Sequence, residues 1–357
     1  MTTPPSSKIY LRTPPEAGKK SAARTYIIYF LTGNPGLVEY YRTFLTHLYG
    51  LLSRDTASNR DVEFQVYGRS LSGFEMSTSE IKTMKWRKQP PYGLQDQIRH
   101  AEEDVVDLVE EAKNQGGRDV RVVLVGHSVG SYISLEIIRR LRAHGMAGED
   151  FDVRIVGAVG LFPTVVDIAR SESGIKASPF LKNSNFATIA SIIVSFLTFL
   201  LPVSLIASLV ARFAGFPGDA AHTTASFIKS PFGIQQALHM ARDEMFQIDT
   251  DIWDEDIWGA TEPSKHPHPR PTLRFLFARK DHWVADATRD ALISSRGRFS
   301  YGGVEETDGM GENWKPIMEI DEREGWPHGF CISHSVPVAE KVAGYVRDIV
   351  GKDMQRK

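Results

Sequence analysis

Cysteine is almost missing from this chain of 357 residues: Cys331 stands alone. An internal disulfide framework is thereby excluded, the composition suits a reducing compartment, and a lone thiol of this kind reads as a small core residue. A surplus of one charge is missing too. Lys and Arg number 42 against 44 Asp and Glu, a net charge of -2, so nothing electrostatic calls for nucleic acid as a partner. Cysteine and histidine nowhere cluster at zinc spacing, and His266-Pro267-His268-Pro269 reads as a loop, so neither a metal nor another cofactor is expected. Residues 1–23 are rich in Pro, Ser, Thr and Lys and lack an apolar h-region, which reads as a flexible tail without a secretory signal. No internal repeat is evident. Charge also vanishes locally, since none falls between Lys182 and Arg212.

What is present organises itself around Asp119 to Gly130. The run Val122 to Val125 is short, β-branched and bounded by Gly126, the pattern of a fully buried strand. After Gly130 the period changes: Ile133, Ile137 and Leu141 recur every four residues, Arg139, Arg140 and Arg142 take other faces, and Gly145 ends the helix. Strand, Gly126-His127-Ser128-Val129-Gly130, helix is the context in which G-x-S-x-G marks a nucleophile elbow. Such a turn lifts the Ser128 hydroxyl clear of the sheet and aims free helix N–H groups at any oxyanion formed there.

In chain order, a short edge strand is expected at Lys8 to Arg12, and core strands at Tyr26 to Leu31, Glu63 to Tyr67, Arg154 to Phe162, Thr272 to Ala278 and about Trp314 to Ile320. Helices are expected at about Val38 to Leu52, Gly93 to Lys113, Pro231 to Phe246 and Val336 to Val350, with Ser230 and Pro231 as cap and first residue of the third. Ser70 to Gln89 and Arg296 to Trp314 read as polar and irregular. Strands alternating with helices predict an α/β fold, a mostly parallel sheet flanked by helices, with its site beyond the carboxyl ends of the strands. The expected organisation is a tail at 1–23, a core over 24–165, a helical cap over 166–250 and the rest of the core over 251–357.

A serine hydroxyl becomes a nucleophile when a histidine takes its proton, and that histidine needs an acid to set its tautomer. The fold's chain order is Ser, then acid, then His. Asp281, just beyond the strand at Thr272 to Ala278, is the chosen acid, with Asp286 and Asp308 as rivals. His328, in the tight loop Trp326-Pro327-His328-Gly329-Phe330, is the chosen base, with His334 as runner-up. His127 is expected to make a structural hydrogen bond. The oxyanion hole needs two donors: the Val129 N–H, and the Asn34 N–H from the loop Gly33-Asn34-Pro35-Gly36, where Pro35 has none to offer.

Together, Gly33-Asn34-Pro35-Gly36, the helix start Gly93 to His100, the Gly126 to Gly130 elbow, Asp281 with Trp283, and Pro327-His328 resemble the lipid droplet-associated hydrolase family of α/β-hydrolases. The resemblance spans Tyr26 to Val350. It implies an α/β-hydrolase fold with a cap, triad roles for Ser128, Asp281 and His328, an address at the lipid droplet and endoplasmic reticulum, and ester hydrolysis of sterol ester or acylglycerol class. The chain departs from the family at Ser72-Gly73-Phe74, where members often carry a histidine-containing turn, and at the polar insertion 296–314.

The uncharged run 186–211 has the length of a membrane span, yet a single crossing would put the two halves of one sheet on opposite sides of a bilayer. It must turn back, and Pro202 marks where. Split there, the halves rise roughly 24 Å and 14 Å, short of a hydrocarbon core of about 30 Å. An interfacial hairpin fits, as does a lid over the site. The run is apolar nearly all round, which favours lipid; Phe186, Phe196, Leu200 and Pro202 are its expected cap or substrate contacts, and Lys176, Lys182, Arg212 and Lys229 flank it for anionic headgroups. Two classes follow: a serine esterase acting on lipid esters at a droplet or membrane surface, or a droplet-surface organising protein on a hydrolase scaffold. The same triad would also serve a soluble ester or thioester.

Overall fold

The structure, a computed structural model, describes residues 6–13, 22–56, 61–75, 89–146, 152–301, 304–305 and 314–356. Strands β1 (Lys8–Leu11), β2 (Arg24–Leu31), β3 (Val62–Arg69), β4 (Val120–His127), β5 (Arg154–Leu161), β6 (Thr272–Ala278), β7 (Arg298–Tyr301), β8 (Val304–Glu305) and β9 (Ile317–Asp321) form one sheet in the order β1-β3-β2-β4-β5-β6-β9-β7-β8. Only β1 against β3 and β8 against β7 run antiparallel. The central strands are buried along most of their length, largely by apolar side chains, because helices cover both faces. Along β2, Tyr26, Ile28 and Phe30 enter the core beneath α1 (Arg42–Thr56), while Ile27, Tyr29 and Leu31 enter the opposite one beneath α2 (Leu94–Asn114) and α3 (Val129–Met146).

Between β5 and β6 the chain builds a helical cap: α4 (Glu172–Leu181), α5 (Phe186–Thr198), α6 (Val203–Ala214), α7 (Gly218–Lys229), α8 (Gly233–Gln247) and α9 (Glu255–Trp258). Helix α10 (Asp286–Arg296) follows β6. Helix α11 (Ser335–Gln355) packs on α1 and completes the first layer through Val338, Val342, Val346 and Ile349. The architecture is the α/β-hydrolase fold. The apolar run does break near Pro202. Its two helices of 13 and 12 residues rise about 20 Å and 18 Å. No single described helix is long and apolar enough to cross a membrane, although α4 and α5 together, bent by 91°, meet the length and composition for it. No residue of α5 is buried, and Phe196 and Leu200 stand 81% and 86% exposed.

Several local expectations give way to tertiary context. The stretch 296–314 is not all irregular: β7 extends the sheet parallel to β9, and 306–313 lie outside the described residues. Of Ser70 to Gln89, Ser70 to Glu75 is buried, because Gln97 receives the Ser72 N–H and His100 bonds the Ser72 hydroxyl, so the polar residues are paired inside; 76–88 lie outside the described residues. Helix α8 starts at Gly233, two residues later than expected, with the Ser230 hydroxyl still accepting the Gly233 N–H at 3.1 Å. Ahead of it stands α7, a further helix that buries Ala220, Ala221, Ala225 and Phe227. Lys229 turns inward rather than toward headgroups: its Nζ donates to the Thr198 and Phe199 carbonyls at 2.9 and 3.1 Å, capping the end of α5 where carbonyls lack partners. The first helix opens with a 3-10 turn at Val38–Tyr41, and the last core strand lies a few residues later than expected, at Ile317–Asp321.

Candidate active site

The elbow is made by steric necessity. Ser128 sits at φ 54°, a left-handed conformation that costs a non-glycine residue about 1 to 3 kcal/mol. A Cβ on Gly126 would stand 2.3 Å from the Gly130 carbonyl oxygen, and one on Gly130 would stand 2.4 Å from that of Leu31. Both obstacles are backbone, which cannot yield. Gly130→Ala is therefore expected to lose about 3 kcal/mol or more of stability, read as a lowered melting temperature. The Ser128 N–H donates to the Leu161 carbonyl at 2.9 Å, pinning the turn to β5.

Three side chains from distant loops meet here. His328 Nε2 lies 3.0 Å from Ser128 Oγ, and His328 Nδ1 lies 2.7 Å from Asp281 Oδ2. A carboxylate only accepts, so Nδ1 carries the proton and the Nε2 lone pair faces the serine hydroxyl. Asp281 follows β6, and its other oxygen accepts the Trp283 N–H at 2.8 Å. Burial works against its charge, but the bond to His328 and the surrounding positive potential prevail and hold its carboxyl below the usual value. Asp321, at the end of β9, shapes the histidine loop by accepting the Glu324 and Trp326 N–H groups at 2.9 and 2.7 Å. Asp286 is elsewhere, paired with Arg289 at 3.0 Å; Asp308 lies outside the described residues; His334 stands at the head of α11.

His127 plays a part that the sequence only half disclosed. Burial, and after it the neighbouring His328, push its imidazole down to about 3, so the ring is neutral. Its Nε2 bonds the His328 carbonyl at 2.9 Å and must be the donor, leaving Nδ1 to accept from Tyr41 Oη at 2.7 Å. Tyr41 in turn accepts the Gly33 N–H at 3.2 Å. A chain of bonds thus runs from the loop after β2 through Tyr41 and His127 to the backbone of His328. Nothing local marks Tyr41 for this part, because its hydroxyl partner comes from 86 residues away.

Val129 is the first residue of α3, where N–H groups have no partner within the helix. Asn34 lies in the facing loop, but its side chain turns to the cap: Nδ2 donates to the Ala237 carbonyl at 3.0 Å and to Glu244 Oε1 at 2.9 Å. Burial pushes the Glu244 carboxyl up to about 8, Asn34 opposing and Asp243 reinforcing the shift. Its folded value exceeds its unfolded one, so the stability it contributes is complete below about pH 4.5 and lost as pH rises through about 8. Glu244→Gln abolishes that loss, and its melting temperature is expected to gain on the parent between pH 5 and pH 8.5 by the equivalent of a few kcal/mol. Cys331 is held up to about 12 by burial and is no nucleophile at neutral pH.

The expected cap contacts divide. Phe186 packs inward against the core and its ring stands 5.7 Å from that of Phe180, whereas Phe196, Leu200 and Pro202 point outward and do not join the triad.

Known proteins resemble this chain in fold and in sequence. Among solved structures, a peroxisomal alpha-beta-hydrolase from Saccharomyces cerevisiae superposes with a TM-score of 0.56 at 12% identity, covering 98% of this chain and 86% of that one, which shows the shared fold. The lipid droplet-associated hydrolase of Mus musculus is 25% identical over 269 residues, 72% of this chain and 70% of its own length. That of Rattus norvegicus is 25% identical over 346 residues, 92% of this chain and 86% of its own. The family described as lipid-droplet associated hydrolase matches residues 24–331, a span that takes in the Asn34 loop, the elbow, Asp281 and His328 together, and the chain belongs to that family.

Proposed function

We propose that this hydrolase cleaves lipid esters, of sterol ester or acylglycerol class, through an acyl-enzyme on Ser128, while its apolar cap rests on a lipid droplet or on the cytosolic face of the endoplasmic reticulum membrane. The Ser128–His328–Asp281 alignment carries this reading. Ser128 Oγ attacks the acyl carbonyl as His328 Nε2 takes its proton, and Asp281 stabilises the imidazolium. The Val129 and Asn34 N–H groups receive the oxyanion. His328 then hands its proton to the departing alcohol, and a water activated by the same nitrogen releases the acid.

The lipid preference rests on surface chemistry. Ile192, Phe196, Leu197, Phe199 and Leu200 are each more than half exposed on or beside α5. Each contributes about 1.5 to 3 kcal/mol on leaving water, so five together, about 7.5 to 15 kcal/mol, are on the scale of the roughly 8 kcal/mol of a micromolar association before its costs are met. Glu at both 196 and 200 is expected to lower partitioning onto artificial droplets at least tenfold or so, with hydrolysis of a water-soluble ester retained. Undiminished partitioning would remove the cap as the contact.

The deciding test is an ester panel of graded chain length, with and without emulsified triacylglycerol, alongside fluorophosphonate labelling. Activity that rises on long-chain esters at the lipid surface is the expected result. Droplet binding with neither hydrolysis nor labelling would make the chain an organising scaffold instead.

A further inference from the structure

The loop carrying Asn34 is held from a distance. It passes so close to the elbow that a Cβ on Gly33 would meet His127 Nδ1 at 2.8 Å and Ser128 Cβ at 3.1 Å. Its amides are largely committed: that of Gly33 donates to Tyr41, Pro35 has none, and that of Leu37 donates to the Pro35 carbonyl at 2.9 Å. Among the described residues the Asn34 N–H donates to none, and it follows directly on Gly33, whose missing Cβ would meet Ser128. Its position depends on the Asn34 side chain, and both partners of that side chain's nitrogen, the Ala237 carbonyl oxygen and Glu244 Oε1, lie on α8 of the cap. Asn34 Oδ1 is buried without a partner, so the amide is oriented from its nitrogen side.

Glu244 is an unusual occupant of such a place. It is 4% exposed, and among the described residues the groups acting on its carboxyl are the Asn34 amide and the like-charged Asp243, neither of them a cation. An apolar residue would spare the fold that desolvation, but it would leave the Asn34 nitrogen with one partner fewer.

We propose that Glu244 is a positioning residue for ester hydrolysis: by holding the Asn34 side chain it fixes the Asn34 N–H against the oxyanion formed at Ser128. This rests on the hydrolase reading above and names how the cap takes part in it. Removing an oxyanion donor costs about 100 to 1,000-fold in rate, and loosening one forfeits part of that.

The test uses the full chain and p-nitrophenyl butyrate, a short ester that needs no lipid surface. Turnover and KM are measured for the parent, Glu244→Leu, Glu244→Gln, Asn34→Ala and the double variant that combines Glu244→Leu with Asn34→Ala, together with inhibition by a trifluoromethyl ketone, whose hemiketal mimics the tetrahedral intermediate. Glu244→Leu and Asn34→Ala are each expected to lower kcat by about 10 to 100-fold with KM within about threefold, and to weaken the ketone by the same factor. Glu244→Gln still presents an oxygen to Asn34 and is expected to stay within about threefold of the parent. The double variant should be no slower than either single one, since both break one link. A folded Glu244→Leu with parental kcat overturns the proposal, as do losses that multiply in the double variant or a Glu244→Gln as slow as Glu244→Leu. Should Glu244→Leu fail to fold, Asn34→Ala decides against the Gln variant: parental kcat in Asn34→Ala overturns the proposal, and a slow Asn34→Ala beside a normal Gln variant supports it. A parent inactive on every ester and unlabelled by fluorophosphonate topples the hydrolase reading and this proposal together; an active parent with an indifferent Glu244→Leu topples this proposal alone.

Discussion

Ser128→Ala is expected to lower kcat by about a million-fold and to abolish fluorophosphonate labelling. The alignment leaves little room for a substitute. The only cysteine is half-buried, with its thiol held up to about 12 by desolvation, and His127 is neutral with both ring nitrogens engaged. The variant should fold as the parent does or slightly better, because alanine loses no buried bond beyond that to His328 and the φ of 54° is the backbone's own cost. Parental melting with vanished turnover would tie the rate to the hydroxyl. Turnover within a hundredfold or so of the parent would place the nucleophile elsewhere.

The second large effect is expected at the acid. Asp281→Asn keeps size and shape, yet kcat should fall by about ten thousand-fold. An asparagine can turn its NH2 toward His328, and Nδ1 would then accept. The imidazole proton would move to Nε2, aimed at Ser128, and the lone pair that receives the serine proton would be gone. The stability consequence has its own sign. Since the Asp281 carboxyl is held below its ordinary value when folded, its contribution is present above the unfolded value and is lost as pH falls through the folded one. The difference in melting temperature between parent and Asp281→Asn should accordingly shrink in acid. A variant with near-parental kcat would show that another carboxylate orients His328; Asp286 is poorly placed for that, being bound to Arg289.

Much of this was legible in the sequence for physical reasons. A buried parallel strand writes itself as an unbroken apolar run, and an amphipathic helix as a 3.6-residue period. A sharp strand-to-helix turn demands small residues at 126 and 130, where the structure shows backbone within 2.4 Å of either missing Cβ. These signals are local and survive without knowledge of neighbours. Chain order then narrowed the acid and the base to the loops after β6 and β9, where Asp281 and His328 stand within bonding distance of one another. The uncharged run likewise announced two short helices with a break near Pro202.

Other features had no local signature. Strand β7 is polar enough to read as loop and becomes strand because β9 offers it an edge. Lys229 looked like one of four flanking cations, and only the fold brings it over the carbonyls that end α5. Tyr41, His127 and Gly33 read as core, elbow neighbour and turn, and their chain of bonds exists because β2, β4 and the histidine loop converge. Nothing local sets Glu244 apart from other charges on its helix, and its burial against Asn34 depends on where the cap comes to rest. By itself, then, the order of residues determined the central strands, five of the long helices, the elbow and the uncharged run with its break, since these follow from backbone sterics and from the period at which apolar side chains recur. Tertiary structure alone decided which polar groups would be sealed from water and with whom, because a charge or a hydroxyl is defined by its partner, and these partners lie up to two hundred and more residues away.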